Sequence, residues 1–268
     1  MSNMATIFKR LWQVNWAEQW QYRANLIMYL LYWLVSPVIY LAVWTSIANS
    51  NGSVNGFTAN DFTTYYMVLL IADQVTSNIV IHTFAYKIQD GTLSGELIRP
   101  IHPMLTNALV NNVAFKALTI MGMTPIWFVL YFLFKPDFSG VTWPGVLLSI
   151  PAMALGFTVG FLLSAAITSL AFWTTRVYSV HEFYYALILL FSGQFVPLPL
   201  MPKVIQDIAQ YLPFQLLMYY PIQLILGKLS SAQIVEGFVV GLIWLGISIL
   251  LFNWVWREGV KQYSAVGA

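Results

Sequence analysis

Long apolar runs separated by short polar intervals organise this chain. Runs at 25–47, 61–84, 105–134, 145–172, 178–197 and 233–256 each approach or exceed the roughly 20 mostly apolar residues that a helix needs to cross a bilayer. The pattern predicts an all-α integral membrane fold with six transmembrane helices, 1–268 forming one transmembrane domain. Asn49 to Asn60, with Gly52 and Gly56, and Lys135 to Pro144 read as turn-rich loops. Ahead of the first run, Phe8, Trp12, Trp16 and Trp20 recur every four residues, with Ile7 and Leu11 alongside and Lys9, Arg10, Gln13 and Glu18 elsewhere on the wheel. That spacing predicts an amphipathic helix over 5–22 lying in the membrane interface.

Two intervals depart from the simple alternation of span and loop. Between the fifth and sixth runs, over 197–228, Pro197, Pro199, Pro202, Pro213 and Pro221 cut an apolar stretch into pieces too short to cross. Lys203 to Leu212 reads as a short amphipathic helix and Phe214 to Leu226 as a second apolar piece, so short re-entrant or outer-surface helices are expected. Irregular backbone at membrane depth survives only inside protein or beside a water-filled cavity, so this region either caps an exit route or forms a static lid. The other interval is 86–100, from Tyr86 to Pro100, a structured polar insert between two spans.

Composition agrees with a lipid-solvated chain. Hydrophobic residues make up 59% and charged residues 8%, with mean hydropathy +0.71. An ordinary globular domain carries roughly 25% charged residues. The net charge of +2, spread along the chain, gives no nucleic-acid footprint. The absence of cysteine excludes disulfides and thiolate metal sites. The N-terminus lacks a signal-peptide pattern, so the first span is expected to remain uncleaved. Charge also orients the spans, because short cytoplasmic loops collect Lys and Arg. One side holds Lys9, Arg10, Arg23, Lys87, Arg99, Arg176, Arg257 and Lys261, with Lys116 expected to snorkel toward it; the other has Lys135, Lys203 and Lys228. Both termini and the 86–100 insert are thereby expected in the cytoplasm.

Candidate chemistry is sparse. His181-Glu182 begins like a zinc-protease helix, but Tyr185 stands where the second histidine is required. His82 and His102 sit near span ends with no second ligand at helical spacing. The Gly227-Lys228 pair lacks the rest of a phosphate-cradling loop, since Ile222 replaces its first glycine and Leu229 follows the lysine. Asp73 is the carboxylate well inside a span; it reads either as a cation or proton site, or as an acid facing a polar bundle interior near Gln74, Thr76 and Asn78. Glu182 and Glu236 lie near span ends. Ala152, Gly156, Gly160, Ser164 and Thr168 recur every four residues, and Gly237 and Gly241 repeat the theme, which predicts close helix packing within or between chains.

The order of these parts carries a family resemblance. An interfacial helix, six spans, the segment GTLSGELIRPIHP after the second and SGQFVPLPLMPKVIQDIAQYLPF after the fifth resemble the type-2 ABC transporter permeases, in particular a bacterial branch. The residues that carry it are Gly91, Leu93, Leu97 or Ile98, Arg99 and Pro100, then Pro197, Pro202, Leu212, Pro213 and Phe214. The resemblance implies a non-enzymatic subunit in the bacterial cytoplasmic membrane, exporting a hydrophobic or amphipathic, drug-like or lipid-like substrate. It implies two partner ATPase subunits that bind ATP and Mg²⁺, with no cofactor in this chain, and a second permease, identical or related. The coupling helix that enters the ATPase would comprise Gln89, Asp90, Gly91, Thr92, Leu93, Gly95, Glu96 and Arg99. Asp90, Glu96 and Arg99 would then make charged contacts, Leu93 and Leu97 an apolar anchor, and the glycines tight turns. The alternatives are an ordinary loop at 86–100 and a secondary transporter or channel using Asp73.

Overall fold

The computed structural model describes residues 4–263; the ends of the expected domain, 1–3 and 264–268, lie outside them. Among the described residues the fold is all-helical apart from an isolated bridge between Val54 and Phe57. Helix α1 (Met4–Gln21) packs along the helix that begins at Val110, with Asn111 Nδ2 donating to Asn15 Oδ1 at 2.9 Å. Helix α2 (Arg23–Asn51) follows, then α3 (Ala59–Thr76) and α4 (Val80–Gln89), which together make one interrupted apolar stretch. A short turn of helix, α5 (Ser94–Leu97), and a π-helical stretch, Met104–Leu109, precede α6 (Val110–Phe134). Helices α7 (Trp143–Ser169) and α8 (Val177–Phe191) come next, then the small α9 (Lys203–Ala209) and α10 (Tyr219–Ile225), and finally α11 (Ser231–Gln262).

Among the described residues, five helical stretches are long and apolar enough to cross a membrane: Ala24–Asn51, Ala59–Gln89, Met104–Phe134, Trp143–Phe172 and Ser231–Gln262. The expected fifth span, 178–197, is different. It is helical only through Phe191, and α8 has 15 residues, about 22 Å of helix against a hydrocarbon core of about 30 Å. Beyond it, Ser192 to Pro197 is irregular, and its carbonyls are taken by side chains of other helices. Tyr65 Oη donates to the Gly193 carbonyl at 2.8 Å and Tyr66 Oη to that of Phe195 at 2.7 Å; Trp44 Nε1 also reaches Phe195 O at 3.1 Å. Gly193 has φ +80°, and a Cβ there would press on the Tyr65 hydroxyl, so glycine is required at this turn. The polar signal Ser192-Gly193-Gln194 marks the stop.

Capping fixes where several helices start. Thr58 and Asp61 form a capping box at α3, the Asp61 amide donating to Thr58 Oγ1 at 3.2 Å and the Thr58 amide to Asp61 Oδ2 at 3.0 Å. Thr142 caps α7, and Ser230 with Gln233 caps α11. These starts gather at one end of the molecule. There Lys228 pairs with Asp61 at 3.2 Å, Thr64 Oγ1 donates to the Asp137 carbonyl at 3.1 Å, and the Ser139 amide donates to Asp137 Oδ1, holding that carboxyl below the usual carboxylate range. At the opposite end, Gln89 reaches the Thr175 carbonyl and Ser94 meets Tyr263. Long helices that follow one another therefore run in opposite directions.

The small-residue stripe of α7 is an intramolecular seat. Ala152, Ser164 and Thr168 are buried, and a Cβ on Gly156 would collide with the Leu216 carbonyl. Gly145 faces the Leu224 carbonyl, Gly237 the ring of Tyr220, and Gly241 the Leu155 side chain. Close approach thus brings the broken segment around α10 and the long α11 onto α7. Helix α3 is almost wholly buried from Phe62 to Leu70, whereas α2 and α11 leave large apolar side chains such as Met28, Val35, Leu242 and Leu250 exposed along their length. A central helix wrapped by apolar-faced neighbours is stable where lipid is the solvent.

Candidate functional site

The 86–100 insert forms an elbow at the end that carries Thr175 and Tyr263. Val80, Ile81, Phe84, Ala85 and Ile88 lie on one face of α4 and enter the core. The helix stops at Gly91, whose φ of +76° is left-handed, the conformation that a glycine stop supplies at low cost. The Leu93 amide turns back to the Lys87 carbonyl at 3.0 Å, satisfying one of the helix's terminal acceptors. Leu93 itself is fully buried among Phe84, Ile88, Met104 and Val177, and Leu97 packs against the same cluster.

Polar contacts then clamp the elbow to distant parts of the chain. Lys87 Nζ and Glu96 Oε1 are 2.8 Å apart, with side-chain exposures of only 18% and 14%. The Ser94 amide donates to Tyr263 Oη at 3.1 Å, and Gln89 Nε2 to the Thr175 carbonyl at 3.3 Å. The faces left outward belong to Asp90, Thr92, Gly95, Ile98 and Arg99. Ile98 is 87% exposed.

The expected docking residues thus divide. Asp90, Thr92, Gly95 and Arg99 face out, Gln89 and Glu96 are occupied within the chain, Gly91 makes the turn, and Leu93 belongs to the core. Leu93 and Leu97, expected as an apolar anchor, turn into the core, and the apolar side chain left outward is Ile98. Helical phase accounts for this: Leu93 and Leu97 are four residues apart on one face, which the core uses, and Ile98 lies about 100° around from Leu97.

The end of helix α3 and the break that follows it build a second feature. Between α3 and α4 the backbone of Ser77, Asn78 and Ile79 is non-helical, and α6 supplies what the interrupted ladder lacks. The Ile79 amide donates to Asn112 Oδ1 at 2.8 Å, and Lys116 Nζ donates to the Gln74 carbonyl at 3.0 Å and to Ser77 Oγ at 3.4 Å. Lys116 is buried over the ring of Phe157 rather than snorkelling to the surface. A broken helix whose freed groups are bonded by protein is the form in which irregular backbone survives at membrane depth.

Asp73 stands one turn before the break, 7% exposed. It lines a cavity of about 210 Å³ together with Asn78, His82, His181, Tyr184 and Gln194. The carboxylate senses the charge of Lys116 but accepts no hydrogen bond among the described residues. Tyr184 Oη, Asn78 Oδ1 and Gln194 Oε1 are likewise buried without a partner. The rings of His82 and His181 meet edge to face at 5.8 Å. Among the described residues no group of three or more His, Asp or Glu side chains is arranged to hold a metal. Sequence reasoning singled out Asp73 and the two histidines separately; only the fold brings α4 against α8.

No curated protein matches the chain. The sequence model of a family described as ABC-2 family transporter protein matches residues 25–267, which takes in the apolar stretches, the elbow and the broken helix. An all-helical chain with several membrane-length helices and a structured polar elbow at one end agrees with that match, and the chain belongs to the ABC-2 family of transporter proteins, as a multi-pass membrane subunit of an ABC transporter.

Proposed function

We propose that this chain couples ATP hydrolysis in partner subunits to export of an amphipathic or hydrophobic substrate, with the 86–100 elbow as the docking element. The single observation that carries this reading is the exposed face of Asp90, Ile98 and Arg99 on a turn otherwise clamped by Lys87–Glu96, Ser94–Tyr263 and Gln89–Thr175. An apolar knob flanked by opposite charges, on a rigid base, suits a complementary protein cleft. The excess of Lys and Arg in the loops of this end supports a cytoplasmic elbow.

In this reading two ATPases bind ATP and Mg²⁺ beneath two permeases, and the unit resides in a bacterial cytoplasmic membrane. Helix α8 with the irregular Ser192–Pro197 segment makes a sixth crossing, which keeps both termini cytoplasmic. The Trp-bearing α1 rests in the interface, and α9 and α10 form the outer lid. A push on the elbow travels along α4, ten residues of continuous helix, to the break at Ser77–Ile79, where non-helical backbone absorbs the rotation.

The test is purification of the complex from native membranes carrying Ile98→Asp or Arg99→Glu. At unchanged yield of the chain, at least tenfold less ATPase is expected to co-purify with Ile98→Asp, and less with Arg99→Glu. Wild-type recovery of ATPase with both variants would refute the docking role.

A further inference from the structure

The cavity beside Asp73 has a consistent chemical bias. Among the described residues no lysine or arginine lines it: the ammonium of Lys116 is held by the Gln74 carbonyl and by the hydroxyl of Ser77, a wall residue, and makes no ion pair with Asp73. The polar atoms without partners are acceptors or can act as acceptors: Asn78 Oδ1, Gln194 Oε1 and Tyr184 Oη, the last two on residues more than nine-tenths buried. Asp73 adds a carboxylate and Glu182 a second one near the mouth. Tyr29, Trp33 and Tyr185 supply aromatic walls.

Buried acceptors without donors are destabilising unless something donates to them. A ligand that brings several N–H groups, a positive charge and an apolar body would meet all of these features together. A carboxylate gives it a charge-assisted bond, neutral oxygens take the remaining N–H groups, and ring faces attract the cation. A second cavity, of about 460 Å³, adjoins on the elbow side between α1 and α4, and the two share Tyr29, Ile79 and His82 in their walls. The site therefore lies next to a space that reaches toward the end occupied by the elbow.

We infer that this cavity binds a primary ammonium ion carried on an aromatic or alkyl body, with Asp73 as its countercharge and Asn78 and Gln194 as neutral acceptors. The inference deepens the exporter reading, on which it rests only for calling the ligand a substrate. Binding is measurable on the purified full chain in lipid nanodiscs, with no ATPase present.

The experiment is equilibrium dialysis of radiolabelled 2-phenylethylammonium against the chain, with empty nanodiscs as the blank and 2-phenylethanol as the uncharged comparison. Saturable binding near one ligand per chain is expected, with 2-phenylethanol at least tenfold weaker. Asp73→Asn should weaken the ammonium at least tenfold, Asp73→Glu should stay within about threefold of wild type, and Gln194→Met should lose about threefold to tenfold. Because Asp73→Asn could disturb folding, each variant is compared at equal monodisperse recovery, and Gln194→Met tests the site from another helix connection. No saturable binding, equal binding of the alcohol, or an unchanged affinity in both Asp73→Asn and Gln194→Met would overturn the site. Ammonium binding by a chain that never recovers an ATPase would sink the exporter reading and leave the site standing.

Discussion

Helix α4 joins two regions that treat their polar groups differently. At its C-terminal end the elbow uses Lys87, Glu96, Ser94 and Gln89 internally, and leaves outward a face made of Asp90, Ile98 and Arg99. At its N-terminal end the break has backbone groups bonded by Asn112 and Lys116, while buried side-chain oxygens of Asn78, Tyr184 and Gln194, residues that line a cavity, have no donor among the described residues. In the proposed reading the elbow's outward face serves a protein surface and the break serves a small ligand. Ten helical residues separate them by about 15 Å.

The largest effect that separates the two regions is expected from Lys116→Met. The methionine keeps the volume and removes the donor, so the Gln74 carbonyl is left buried and unbonded, and the positive charge nearby that favours the Asp73 carboxylate is gone. Stranding a buried carbonyl costs about 1–3 kcal/mol, and losing a nearby opposite charge from beside a buried carboxylate adds to it. Thermal unfolding in nanodiscs should show a loss of about 3 kcal/mol. Adding Asp73→Asn should recover part of that loss, because the double variant has no uncompensated carboxylate. Lys116→Met at wild-type stability would mean that the break is held by Asn112 alone.

How far these regions could be read from sequence follows from where their partners lie. The apolar runs, the caps Thr58-x-x-Asp61 and Ser230-x-x-Gln233, and the elbow's Gly91 turn are local, and each is legible in a few consecutive residues. The break in the second span is less so: Ser77-Asn78 is a weak polar signal inside an apolar run that resumes at Ile79-Val80-Ile81. What permits it is a donor and an acceptor on α6, more than 30 residues away. The stop of α8 at Phe191 likewise depends on Tyr65, Tyr66 and Trp44, from two other helices. The fate of Lys116 was hidden for the same reason, since snorkelling and burial differ only in whether an acceptor waits inside. At the elbow, composition marks the polar segment, but only the helical phase sorts Leu93 inward and Ile98 outward.

A smaller effect sharpens the elbow's half of the comparison. Glu96→Gln keeps the shape and an acceptor oxygen while removing the charge that Lys87 meets at 2.8 Å. Both side chains are largely shielded, so the pair is worth more than a fully exposed one, and a loss of about 1 kcal/mol is expected. Recovery of the ATPase should stay near wild type, because Glu96 is turned into the chain whereas Arg99 faces out. A drop in ATPase recovery as large as that of Arg99→Glu would show that Glu96 also belongs to the docking face.

The smallest effect is expected where the elbow meets the end of α11. Tyr263→Phe removes the hydroxyl that accepts from the Ser94 amide at 3.1 Å. Ser94 is exposed, so water can replace the lost acceptor and the global cost should be about 0.5 kcal/mol or less. The local consequence differs from the global one. Without the clamp, the first turn of α5 opens more often, and amide exchange at Ser94 and Gly95 should quicken by roughly the factor that this energy implies, about twofold. Exchange at Ile79, at the other end of α4, should not change, because its amide bonds to Asn112 and never depended on the elbow. Faster exchange at both ends would mean that α4 already transmits loosening from the elbow to the break in the isolated chain, and that the two regions behave as one unit.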